Sequence, residues 1–187
     1  SMAAKDFAGD AERAMGYLER LNRLAPGDAR VESTLERLYE RHGRTRPLID
    51  LLTARVASIA AAERGELSAR IAALWLDLVE TPPAFGLAAG LLEAGSNDVA
   101  AVALLERILA LPASREQLVL EGTATVLEST ARLLEKRYRA QKSTVDVVRM
   151  LEIEVDCTSD AKERSELLSE AARLRLDVLD DARGAFE

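Results

Sequence analysis

The sequence predicts an all-α protein built of stacked helix pairs, and three observations carry that prediction. Ala and Leu supply 62 of the 187 residues while aromatic residues make up only 4%. That is the composition of packed helices, with too few β-branched and aromatic residues for a sheet. Gly, Pro and capping residues punctuate the chain into helices of similar length. A pattern from the first half also returns in the second.

The first helix is expected from about Asp10 to Ala25, where Pro26-Gly27 stops it. Asp28 then caps a second helix that reaches His42, with Gly43 suited to the left-handed residue after a helix end. Thr45 is the expected cap of a third helix, with Pro47 in its first turn. Leu48, Leu51, Leu52, Val56 and Ile59 give this helix one apolar face. A fourth covers Arg64 to Glu80. Thr81-Pro82-Pro83 starts a fifth that ends at Gly95, and Asn97 or Asp98 starts a sixth that stops at Pro112.

Ser114-Arg-Glu-Gln117 reads as a capping box and opens a seventh helix. Unbroken to Gln141 it would be about 42 Å long, far beyond its neighbours, so a break or bend is expected at Gly122-Thr123. An eighth helix runs from Thr144 to Cys157, and a ninth from Asp160, with Glu163 in capping-box register, to Leu179. Asp180-Asp181 begins a tenth.

The repeat spans residues 35–85 and 134–186. Leu35, Glu36, Tyr39, Leu52 and Val56 recur as Leu134, Glu135, Tyr138, Leu151 and Val155, at a spacing of 99. After one inserted residue, Glu63, Arg64, Glu66, Leu67, Ala72, Leu74, Leu76 and Asp77 recur as Glu163, Arg164, Glu166, Leu167, Ala172, Leu174, Leu176 and Asp177. Ala84-Phe85 recurs as Ala185-Phe186. Ala and Leu match by chance in such a chain, so the Tyr, Glu-Arg, Asp and Ala-Phe matches carry the argument. Five helices per copy would reverse equivalent helices in an alternating stack; a break at Gly122 makes the number even.

Helices in 34-residue pairs, as in Ala11 to Arg44, resemble tetratricopeptide repeats. The phrases "LERLYERHGR", "RPLIDLLTARV" and "DDARGAFE" look like the divergent tetratricopeptide-like arrays of large bacterial proteins. The resemblance covers most of the chain and is weakest at 98–127. It implies a right-handed α-solenoid of about ten helices in antiparallel pairs, acting in protein–protein interaction. The consensus Trp-Leu-Gly-Tyr set is absent, so a carboxylate clamp for peptide C-termini carries over to no residue here. Residues 3–187 are expected to form one repeat domain within a longer array, and Ser1-Met2 reads as the scar of a cleaved expression tag.

Net charge is −7, and the excess is C-terminal. Residues 150–187 hold five basic and eleven acidic groups, whereas the rest of the chain is near balance. That placement argues against a nucleic-acid partner. The longest uncharged stretch, Thr81 to Leu92, has twelve residues, short of the ~20 that span a bilayer. One Cys and one His exclude disulfides and multi-ligand zinc sites; a reducing compartment such as the cytoplasm fits. No cofactor motif is present, and Cys157 and His42, 115 residues apart, make a poor nucleophile pair. No enzymatic activity is expected.

Three groups of residues are candidates for receiving a partner. Arg41, His42, Arg44 and Arg46 surround one interhelix turn. Arg132, Lys136 and Arg139 form a stripe at i, i+4 and i+7. Arg13, Tyr17 and Arg20 form another, with an aromatic between two guanidinium groups. Against these stand plain solvated faces and, for Tyr17, a place wedged between helices. The "IAALWLDLV" segment (71–79) and the uncharged fifth helix are apolar on every side, with Trp75 as the natural anchor if a face stays open. Gly86, Gly90 and Ala94 form a small-residue stripe best explained by close helix approach. The leading expectation is therefore a scaffold for peptides or helices of other proteins. The alternative is a self-associating module, such as a homodimer, joined through 71–95.

Overall fold

The structure, a computed structural model, describes residues 2–95, 97–111 and 123–177. Among these residues it holds nine helices and no strand. They are α1 (Met2–Leu24), α2 (Ala29–Arg41), α3 (Thr45–Val56), α4 (Ala61–Asp77), α5 (Thr81–Glu93), α6 (Asp98–Leu109), α7 (Thr123–Gln141), α8 (Thr144–Cys157) and α9 (Ala161–Asp177). The capping box at Ser114, the expected bend at Gly122 and the tenth helix at Asp180 lie outside the described residues. None of these helices is long and apolar enough to cross a membrane.

Local chemistry accounts for most helix ends. The Asp28 carboxylate accepts the N–H groups of Arg30 and Val31 at 2.9 and 3.3 Å, which opens α2. Gly43 closes it with φ +63°, and the Arg44 N–H reaches back to the Tyr39 carbonyl at 2.8 Å. That six-to-one bond is a Schellman ending. Arg44, not Thr45, is the N-cap of α3, because its carbonyl takes the Leu48 N–H at 3.1 Å. α4 starts three residues before Arg64, since the Ala60 carbonyl already receives Glu63 and Arg64. Pro82 and Pro83 sit in the first turn of α5, where a missing N–H costs nothing.

Each helix from α1 to α6 packs on the next, as do α7, α8 and α9; α4 also meets α6, and α7 meets both α5 and α6. The core has two clusters. One joins α1 to α4 through Met15, Leu35, Tyr39, Leu52 and Ile71. The other joins α4 to α9 through Leu76, Ala88, Leu105, Leu134 and Leu151. Trp75 and Leu87 pack against both.

The small-residue stripe on α5 corrects one expectation. Gly86, Gly90 and Ala94 are exposed, and a Cβ built on either glycine would meet nothing within 4 Å. The face that α5 buries carries Ala84, Ala88 and Leu91. An uncharged helix thus keeps its solvent side apolar in letters yet small in area, and the close approach falls on the alanines.

Candidate functional site

Ion pairing sorts the basic candidates. Arg44 pairs with Glu12 of α1, and Arg46 pairs with Glu80 while its guanidinium lies 5.9 Å from the Trp75 ring centre. Arg132 on α7 binds Glu128 at 2.7 Å and Glu163 of α9 at 2.6 Å. Arg139 binds Glu135 and, at 2.7 Å, Glu170 of α9. These arginines tie helices together. Arg41 and Lys136 are exposed. Trp75 is half-buried between the two clusters, so its ring belongs mainly to the interior.

The stripe on α1 stands apart. Arg13, Tyr17 and Arg20 are exposed, Tyr17 at 71%, so the ring is not wedged between helices. Leu21 (46% exposed) and Leu24 (84%) extend the same face. Spacings of i, i+4, i+7, i+8 and i+11 place all five on one side, opposite Met15 and Leu18, which join the core. Neither Arg13 nor Arg20 makes an ion pair among the described residues. Reading the i+4 and i+7 positions onward from Tyr17 would have added the two leucines.

Behind α1 lies a groove of about 630 Å³ between α1 and α3, floored by Leu35 and Tyr39 of α2 and edged by Glu19, Arg23, Asp50 and Leu51. The Tyr39 hydroxyl donates to Glu19 at 2.9 Å. Burial, then that carboxylate, push the phenol above its ordinary range. Tyr138 repeats the arrangement against Glu106 of α6, and the same causes push it up to about 12. Arg149 donates to Glu106 as well, and mainly for that reason the Glu106 carboxyl lies below its ordinary range.

One buried acid was not among the sequence candidates. Glu154 on α8 is only 5% exposed, its Oε1 has no hydrogen-bond partner among the described residues, and its Oε2 lies 3.6 Å from Arg132 Nε. Burial first, then the nearby Glu135, push its carboxyl up to about 7. The signal lies in the repeat: at the spacing of 99, Glu154 stands where the first copy has Arg55.

Among the described residues no three His, Cys, Asp or Glu side chains are placed to hold a metal ion. His42 ends α2 and Cys157 ends α8, on helices that do not touch. Comparison with known protein families, with curated proteins and with solved structures returns no match.

Proposed function

We propose that the chain is a tetratricopeptide-like scaffold, a right-handed solenoid of antiparallel helix pairs, that binds a peptide or helix of a partner protein. Three features support the fold. Among the described residues, the links from α1 through α6 and from α7 through α9 are short. Ion pairs join helices two apart, as Arg70 to Glu36 and Glu40, Arg107 to Asp77, and Arg139 to Glu170. The α2–α3 and α7–α8 turns also match: Lys142 has φ +58° where Gly43 has +63°, and Ser143 N–H returns to the Tyr138 carbonyl at 3.0 Å as Arg44 does to Tyr39.

The observation that carries the binding function is the open α1 face. Large apolar side chains on a surface are costly when they form a continuous stripe, and this one is bracketed by two guanidinium groups that make no ion pair among the described residues. The 71–95 region offers a second copy far less, since Val79 is its one exposed large apolar side chain.

Selection from a displayed peptide library tests the reading. Binders should be enriched, and their binding should be lost when Tyr17→Ala removes the stripe or when Asp50→Arg alters the groove. A library that yields no binder sensitive to either substitution would sink the scaffold function.

A further inference from the structure

The two Tyr–Glu pairs differ in the cation that completes them. In the second copy the Tyr138 hydroxyl donates to Glu106 of α6, and Arg149 of α8 reaches the same carboxylate, Nη1 to Oε2 at 2.8 Å and Nη2 to Oε1 at 2.6 Å. That is a two-pronged guanidinium–carboxylate pair. Asp146 of α8 accepts the same Nη2 at 3.3 Å. In the first copy the Tyr39 hydroxyl donates to Glu19 of α1 in the same way. Both tyrosines are buried and both glutamates half-buried. At the spacing of 99, however, Asp50 stands where α8 has Arg149, and Pro47 stands where it has Asp146. A carboxylate takes the guanidinium's place.

The consequence is the groove between α1 and α3. Glu19 lines it from α1, Glu32 from α2 and Asp50 from α3. The charges of Glu19 and Asp50 both oppose ionisation of the Tyr39 phenol, so both carboxylates act on the place that Arg149 serves in the second copy. Arg44 closes the neighbouring end of the groove by pairing with Glu12. Arg23 stands on the rim, and no cation among the described residues makes an ion pair with Glu19, Glu32 or Asp50. Three carboxylates against one guanidinium leave the groove acidic. Its volume of about 630 Å³ lies within the range of pockets that hold small ligands.

We infer that this groove binds an arginine side chain of a peptide, its guanidinium set between Glu19 and Asp50 as Arg149 is set against Glu106. A planar fork suits a carboxylate that already takes a tyrosine proton on one oxygen, whereas an ammonium offers a point contact. Leu35 and Leu51 beside the acids give the arginine stem and its neighbours apolar surface. The proposal rests on the scaffold reading and names the residue that anchors the peptide.

The test titrates the full, isotope-labelled chain with N-acetyl-arginine amide, whose guanidinium is its one charge, and follows the backbone amide signals. Those of Glu19, Tyr39 and Asp50 should shift saturably. N-acetyl-citrulline amide, alike in shape and uncharged, should bind about tenfold more weakly or worse, and the lysine derivative about threefold more weakly or worse. Asp50→Asn should weaken the arginine derivative by about fivefold. Asp50→Arg, which copies the second repeat, should fill the place from within and abolish the response, with unchanged signals from α7 and α8 showing that the fold is kept. Tyr17→Ala should leave the response as it is. Silence of the three signals, equal binding of the arginine derivative and either of the others, or a response that survives Asp50→Arg would overturn the inference. So would a dimer that Asp50→Arg returns to monomer, because an arginine of a second copy would then hold the place. Library peptides that bind through Tyr17 and need no arginine would overturn it too, and leave the scaffold function standing.

Discussion

Glu154 shows what a charge swap between repeat copies does at a single position. In the first copy Glu36 receives Arg55 at 2.8 Å and Arg70 at 2.5 Å, and Arg70 also reaches Glu40. Burial pulls the Glu36 carboxyl up, but the two arginines outweigh it and hold it below its ordinary range. In the second copy the matching residues are Glu135, Glu154, Glu170 and Arg139, so three of the four charges are inverted. Arg139 now serves Glu135 and Glu170. Glu154 is left facing Glu128, Glu135 and Glu163, with Arg132 as the cation that answers them. Between the usual carboxylate range and about pH 7, the folded protein therefore keeps a proton that the unfolded chain has released. Stability falls as pH rises through that window, and the penalty vanishes below it, where both states are protonated. Glu154→Gln should raise stability near pH 8 by about 1 kcal/mol, or about 2–4 °C in Tm, and change little near pH 4. Denaturant titrations at the two pH values decide it; a variant less stable near pH 8 would show that the carboxylate contributes more than it costs.

Helix ends divide into those legible in the letters and those that only the packing sets. Asp28, Gly43, Gly95 and Pro82-Pro83 mark boundaries because each has a backbone property that few other residues share. α8 is placed to the residue for a related reason: Thr144 follows a turn whose twin at Gly43 is easily read. Val79 and Lys142 are different. Both take the left-handed conformation, at φ +60° and +58°, although neither residue type favours it. At Val79 the bond from Glu80 N–H to the Trp75 carbonyl, 2.9 Å, completes a Schellman ending, so α4 stops at Asp77 rather than Glu80. A β-branched residue pays about 1–2 kcal/mol there, and the side chain is 70% exposed, so little packing repays it. Val79→Gly should therefore stabilise the protein by about 1 kcal/mol in denaturant unfolding. Gly86 and Gly90 invite the opposite change. They sit in ordinary helix with open space around them, so Gly86→Ala and Gly90→Ala should each add about 0.5–1 kcal/mol. Loss of stability in either variant would mean that the α5 face is covered in solution. Their outward position was hidden in the sequence because α5 has no charge before Glu93 to mark a solvent side.

At the scale of the whole molecule, Trp75 decides whether the chain behaves as one cooperative unit. The α1–α4 cluster and the α4–α9 cluster meet through α4 and α5, where Trp75 and Leu87 touch both. Arg46 of α3 lies over the indole and pairs with Glu80 beyond α4, so the ring is gripped from the N-terminal side as well. In a stacked array, stability is a sum of unit terms and nearest-neighbour interfaces, and removing one interface separates what lies on either side. An apolar 71–79 segment is plain in the sequence, but its use as an internal joint rather than an open face depends on α3 and α5 covering it. Trp75→Ala should cost about 2 kcal/mol or more and distribute that cost unevenly. Amide exchange in α1 to α3 should quicken well ahead of exchange in α7 and α8, and the denaturant m-value should fall as the two halves cease to unfold together. Uniform acceleration across all helices in Trp75→Ala would place the coupling elsewhere along α4 and α5, with Leu87 the next residue to truncate.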